Sequence, residues 1–335
     1  MIDKLTYETI DVAQWEALYG YSPTASFFQS KACYDVYTQL SFLEPFVFAV
    51  AEEKQLVGLA CGYVIADGGR VKSFFSRRAI IPGGLLLDEN ITDEAISALL
   101  KEVQQGLSDK GAIYIELRNY NDFSSFRTSI VHSGFNYQLH LNIHVPTPDV
   151  ATAFSQLSDS KQRQVKQTLK AGASCELSDD KEDLKAFYQL LTKLYRRKVK
   201  KPLFPYEFFD KLYQQPFTRF FVVRRAGKIL GGIFCVQSDK VVYEWFICGE
   251  NNKAKKVYPS VLATWKAIEY AAGNGFEYFD FMGAGKKDEP YGVREFKSKF
   301  GGELVEQGRF LYICKPGLYK FSKSVLNVMK IILPK

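Results

Sequence analysis

"EYFDFMGAGKKDEPYGVREFKSKFGGELVEQ", Glu277 to Gln307, is the stretch on which the reading of the chain turns. It opens with the alternating aromatic pattern of a buried strand and runs straight into Gly283-Ala284-Gly285-Lys286-Lys287. A phosphate-binding P-loop needs the spacing G-x-x-x-x-G-K, then Ser or Thr and a helix, so that backbone N–H groups wrap the phosphates. Gly283 and Gly285 are too close for that, and Lys287 is followed by Asp288. A dinucleotide fingerprint fails as well, because Asp288 stands where its third glycine belongs. The glycines therefore read as a strand exit, and the surrounding chain must say what that exit holds.

The chain has 335 residues, enough for two domains or one large one. Hydrophobic residues make up 47% and charged residues 24%, the balance of a globular protein. The six cysteines include no C-x-x-C pair, and Cys235, Cys248 and Cys314 sit in strand-like apolar runs, so they read as buried thiols of a reducing compartment. Only three histidines are present, and His140 and His144, spaced i, i+4 on an expected strand, fall about 13 Å apart, too far to share a metal. No metal site is expected. No secretory leader and no run of about 18 apolar residues is found, so the expected compartment is the cytoplasm. Net charge is +7, and it is concentrated: residues 161–201 carry twelve Lys or Arg against five Asp or Glu, an excess equal to that of the whole chain.

The pattern repeats once. "PFVFAVAEEKQLVGLACGYVI" predicts a hairpin, "VKSFFSRRAIIPGGLLLDE" a strand and "TDEAISALLKEVQQGLSDKG" a helix. "AIYIELR", "FSSFRTSIVHSGF" and "YQLHLNIHV" then predict strand, helix and strand. "TRFFVVRRAGKILGGIFCVQS", "VVYEWFICGE", "SVLATWKAIEYAAGNG", "FEYFDFMG", "VREFKSKFGG" and "LVEQGRFLYI" run through the same order again. Two α+β domains in tandem are expected, each a mixed sheet flanked by helices in the element order of the GNAT (acyl-CoA N-acyltransferase-like) fold. The expected bounds are 1–148 and 149–335. The second domain carries a basic helical insertion over 151–215 and an amphipathic helix over 318–332.

"YPSVLATWKAIEYAAGNGFEYFDFMGAG" followed by "YGVREFKSKFGGELVEQGRFLY" resembles the Fem family of aminoacyltransferases. The family has a helix with L-x-x-W-x-A-I, a strand ending Y-D-F-G-G, and then G-L-x-x-F-K-x-x-F-G-G. "KQRQVKQTLKAGASCELSDDKEDLKAFYQLLTKLYRRK" is similar to a further family segment. The resemblance implies tandem GNAT-like domains that move an amino acid from aminoacyl-tRNA to an amine of a peptidoglycan precursor, without metal or redox cofactor. It also implies a catalytic role for Lys297, and an acceptor-phosphate contact at Arg196 or Arg197. The chain departs from the family where Met282 replaces the first glycine after Asp-Phe, and where Cys33 and Tyr37 stand near the family's Trp and Lys.

The residues themselves suggest further roles. Lys297 sits one step round from Phe296 and Phe300, which share a helix face, so it is expected on a stem that reaches past the apolar edge toward a developing oxyanion. Asp280, at the strand end, is either a base that handles an amine or a cap of the following turn. Glu244, Trp245 and Tyr291 join Arg163, Arg196 and Arg197 as candidate substrate contacts. Lys198, Lys200, Lys201, Lys253, Lys255 and Lys256 are candidate phosphate or tRNA contacts, with a solvated surface as the alternative. The segment before Val261 has no glycine with which to cradle a CoA pyrophosphate, so aminoacyl-tRNA is the expected donor and acyl-CoA the alternative. A non-catalytic, RNA-binding derivative is a third reading. The C-terminal helix either packs on its own domain or lies on the inner face of a membrane, where a lipid-linked precursor would be met.

Overall fold

The computed structural model describes residues 2–251, 256–287 and 291–322. The chain divides into two compact units, residues 1–139 with 307–335, and residues 140–306.

In the first unit the strands are β1 (Ile2–Thr6), β2 (Glu44–Glu52), β3 (Gln55–Ile65), β4 (Arg78–Gly83), β5 (Leu86–Leu87), β6 (Tyr114–Asn119) and β7 (Asn136–Gln138). The second unit holds β8 (Leu141–Pro146), β9 (Ala173–Leu177), β10 (Thr218–Arg225), β11 (Lys228–Gln237), β12 (Val241–Gly249), β13 (Tyr278–Asp280) and β14 (Glu303–Glu306). The last strand, β15 (Arg309–Ile313), returns to the first unit. The sheet orders are β1-β2-β3-β4-β6-β15-β7, with β5 on β3, and β14-β8-β13-β12-β11-β10-β9.

These orders correct the expected boundary at 148/149. "YQLHLNIHV" is not one strand: β7 stays in the first sheet, and β8 pairs with β13 and β14 in the second. "LVEQGRFLYI" is likewise cut, with β14 beside β8 and β15 inserted between β6 and β7. The cause is local. Gly308, at φ 66°, turns the chain between β14 and β15, where Tyr137 packs so closely that a Cβ would collide with its ring. The first unit thus takes β15 from beyond the second, and its sheet is incomplete without it.

The helices follow their caps and apolar faces. Asp93–Asp109 starts at the Thr92 cap and buries Ile96, Leu99, Leu100, Val103 and Leu107 against the first sheet. Val12–Tyr21 and Lys31–Thr38 contribute Trp15, Leu18 and Tyr34 to a second apolar cluster of that unit. In the second unit, Pro259–Gly273 is apolar nearly all round and packs on β10, β11, β12 and β13. Lys181–Leu194 packs on β11 and β12. The insertion expected to be helical also contains β9, which pairs with β10 at the sheet edge. "VKSFFSRRAIIPGG" begins as helix Arg70–Ser76 before β4. Residues 316–322 are helical, and the remainder of the expected 318–332 helix lies outside the described residues. Among the described residues, no helix is long and apolar enough to cross a membrane.

Candidate active site

Two parallel strand pairs occupy equivalent places in the two sheets, and they differ. In the first, β4 and β6 stay paired over five residues, from Ala79 opposite Ile115 to Gly83 opposite Asn119. The chain beyond β4 is held by the buried Gln29 side chain, whose Nε2 donates to the carbonyls of Gly83 (3.0 Å) and Leu85 (3.1 Å). In the second, β12 and β13 pair only from Val241–Tyr278 to Tyr243–Asp280 and then part. A bulge in the β11–β12 pairing falls at the same level, where Cys235 faces Glu244 and Phe234 faces Phe246, leaving Trp245 as the extra residue. Bulges re-aim side chains, and this one turns Glu244 toward the opening.

Lys297 fills that opening. Its Nζ donates to the carbonyls of Phe281 (2.6 Å) and Gly283 (3.1 Å) and lies 3.2 Å from Glu244 Oε1. Both side chains are buried, 11% exposed for Lys297 and 3% for Glu244. The expectation of a lysine reaching out past an apolar edge is therefore corrected: the ammonium is drawn inward by a carboxylate and two carbonyls. Burial raises the Glu244 carboxyl above its ordinary value and the nearby Asp280 adds to this, while the Lys297 charge opposes it. Glu244 Oε2 is buried without a hydrogen-bond partner.

The strand exit that supplies the two carbonyls is tightly specified. Met282 takes a left-handed φ of 56°, which turns the chain there. Asp280, 0% exposed, accepts from the Met282 N–H through Oδ1 and from Asn142 Nδ2 at 2.7 Å. Asn142 Oδ1 in turn accepts from Gly283 N–H at 2.7 Å. His144 Nε2 lies 3.2 Å from Asp280 Oδ2, with the imidazole stacked on Tyr278 at 4.4 Å. The bond from the Met282 N–H makes Asp280 the cap of the turn that follows it, one of the two roles the sequence left open. Tyr291 packs on the same loop, so close to Gly285 that a Cβ there would meet its ring, and the φ of 78° at Gly285 disfavours a side chain as well.

Trp245 packs edge-on to Phe208 at 5.0 Å and forms an aromatic wall with Phe246. Arg163, Lys166 and Lys170 line an open groove of about 290 Å³ along helix Asp159–Lys170, together with Asp159, Gln162 and Gln167. Arg196, Arg197 and Lys198 are exposed on a π-helical turn, Tyr195–Val199, with Lys200 and Lys201 just beyond it. At the start of that turn, burial raises the Tyr195 phenol above its ordinary value, and the Tyr291 phenol adds to this. Lys256 is exposed, and Lys253 and Lys255 lie outside the described residues.

The start of helix Pro259–Gly273 is closed to an anion. Pro259 has no N–H, Ser260 N–H donates to Asn251 Oδ1 at 3.1 Å, and Val261 and Leu262 N–H both return to the Tyr258 carbonyl. Sequence reasoning missed Asn251, Asn142 and His144. The alternation of Asn142 and His144 along one strand places them on one face, but their partner Asp280 is visible only once β8 is seen beside β13.

The residues 159–298 match the family model described as an acetyltransferase (GNAT) domain. No curated protein sequence matches the chain. Among solved structures, FemX is similar with a TM-score of 0.72 and 16% identity, covering 95% of this chain and 99% of its own. A tandem GNAT protein from the clavulanic acid biosynthesis pathway is similar with a TM-score of 0.60 and 9% identity, covering 94% and 99%. The C-terminal domain of a putative lysylphosphatidylglycerol synthetase from Agrobacterium fabrum follows with a TM-score of 0.58 and 13% identity, covering 94% and 96%. At these identities the likeness is one of fold. The chain folds as two GNAT-like units in tandem, the Fem-like arrangement the sequence resembles, with the family match falling in the second.

Proposed function

We propose that the protein is an amide-forming aminoacyltransferase, which takes an aminoacyl group from aminoacyl-tRNA and delivers it to an amine of a nucleotide- or lipid-linked cell-wall precursor. The observation that carries this reading is the Lys297–Glu244 pair in the gap between β12 and β13. Attack of an amine on an ester builds negative charge on the carbonyl oxygen. Lys297 supplies a fixed ammonium there, exchanging one carbonyl contact for the oxyanion; such a donor lowers a barrier by about 3 kcal/mol in favourable cases. Glu244 Oε2, unpartnered and raised in pKa by burial, is the acceptor for the proton the amine must lose. The C–N bond forms, the ester C–O bond breaks, and the proton passes on to the leaving hydroxyl.

Aminoacyl-tRNA is favoured over acyl-CoA because Asn251 Oδ1 and the Tyr258 carbonyl occupy the N–H donors with which this helix start would meet a pyrophosphate. The exposed cations of 196–201 and the Arg163 groove offer surfaces for phosphates. The likeness in fold to FemX and to a domain of a putative lysylphosphatidylglycerol synthetase fits this reading. A cytoplasmic location, at or near the inner membrane face, is part of this proposal. Comparing the acylated precursors of cells with and without the gene by mass spectrometry tests it. One aminoacyl mass increment that disappears with the gene is expected. Loss of an acetyl or longer acyl increment instead would establish the acyl-CoA reading, and unchanged precursors would refute both.

A further inference from the structure

Lys161 is a buried lysine with no carboxylate beside it among the described residues. It lies on the first turn of helix Asp159–Lys170 and is 5% exposed. Its Nζ stands 3.8 Å from the ring centre of Phe296 and 5.0 Å from that of Phe300. Phe296 immediately precedes Lys297. Phe300 packs on Phe281 at 5.8 Å, and Lys297 Nζ lies 5.3 Å from that same Phe281 ring. The two lysines therefore cap opposite ends of one aromatic file. The backbone is joined at the same place: Ser158 N–H donates to the Lys299 carbonyl at 2.9 Å, and Lys161 N–H to the Ser158 carbonyl at 2.8 Å.

We propose that Lys161 is a positioning residue, whose ammonium, held on the Phe296 and Phe300 rings, seats helix Gly292–Ser298 so that Lys297 enters the gap between β12 and β13. The proposal rests on Lys297 being the acyl-transfer lysine. A methionine of similar length would fill the same space at lower cost. Burying an ammonium without an anion is unfavourable, and contact with the rings returns only part of that cost. What the charge adds is direction, since an ammonium over two ring faces fixes both rings, whereas an apolar chain slides between them.

Electrostatics agree with the geometry. Burial, reinforced by the Lys299 charge from the end of the Lys297 helix, lowers Lys161 to about 8. Asp159, on its own helix, lines the outer groove instead. Because the folded pKa lies below the unfolded value, the charge on Lys161 opposes folding at neutral pH, and stability rises as pH climbs from about 8 toward about 10.4. Activity is expected to move the other way, falling as the ammonium is lost.

The experiment compares wild type with Lys161→Met, Lys161→Arg and Lys297→Met by thermal melts, hydrogen exchange and turnover against pH. Lys161→Met is expected to melt higher than wild type at pH 7, yet to exchange the amides of 293–299 about tenfold faster and to lose kcat about tenfold with little change in donor KM. Lys161→Arg is expected to restore exchange protection and to hold its kcat above pH 8, where wild type declines. Unchanged exchange in Lys161→Met, or an alkaline decline in Lys161→Arg matching wild type, would overturn the proposal. Full turnover in Lys297→Met would instead refute the active-site reading, while the exchange data would still decide whether Lys161 seats the helix.

Discussion

Lys297 Nζ lies 3.2 Å from Glu244 Oε1 across the opening where β12 and β13 part. A buried pair of this kind sets two effects against each other in any single substitution. Removing the cation abolishes its chemistry, but it also leaves a carboxylate and two carbonyls without their donor.

Lys297→Met is accordingly expected to lose turnover by orders of magnitude and also to lose about 3–5 kcal/mol of stability. An unchanged melting temperature, the natural expectation for a lysine in solvent, does not suit a side chain 11% exposed. Lys297→Met combined with Glu244→Leu should recover most of the stability and none of the activity. Lys299→Met, at an exposed position, should alter neither. Denaturant melts and single-turnover assays on the four proteins check this, and equal turnover in Lys297→Met and Lys299→Met would remove Lys297 from the mechanism.

The basic turn gives a salt-dependent prediction. Replacing Arg196, Arg197, Lys198, Lys200 and Lys201 by Gln should weaken tRNA binding and make the slope of log affinity against log salt shallower by up to about 4. Stability should stay within about 0.5 kcal/mol, since all five are exposed. Filter binding at several salt concentrations measures the slope. An unchanged slope would return the cluster to ordinary solvated surface.

The return of β15 makes Phe310, near the C-terminus, a core residue of the unit that begins at the N-terminus. Phe310→Ala should cost about 3–5 kcal/mol. A fragment ending at residue 148 should fail to give a cooperative melt, because it lacks β15 between β6 and β7. A cooperative transition in that fragment would contradict the assignment of β15.

Glu116 joins β15 to β6. Burial pushes its carboxyl up, but the charges of Arg118 and Arg309 outweigh this and hold it at about 2. Because the folded value lies below the unfolded one, its contribution is present above about pH 4.3 and is lost as pH falls toward 2. Acid titration of stability in Glu116→Gln should lose that part of the slope; a slope identical to wild type would show that another carboxylate carries it.

Much of this was legible in the sequence. The aromatic alternation before Gly283 marks β13, and the Phe296–Phe300 spacing marks the helix that carries Lys297. The placement of β8 and β15 was not, because an alternating strand satisfies either sheet equally and the pairing partner lies far along the chain. Lys161 was hidden inside a basic run, since counting charge says nothing of burial. Its signal was the helical spacing of Lys161, Val165 and Thr168, which all face inward. Asp280 followed by Met282 and Gly283 carries the pattern of a capped turn, yet the Asn142 that completes the network comes from β8.

The donor is the centre of the account, and it is tested most directly by titration calorimetry with two ligands. One is a tRNA acceptor-stem minihelix carrying a mixture of amino acids through a stable 3′-amide; the other is acetyl-CoA. The account predicts saturable binding of the aminoacylated minihelix, weaker binding of the uncharged one, and no micromolar site for acetyl-CoA. A saturable micromolar acetyl-CoA site, with charged and uncharged minihelices bound alike, would contradict it.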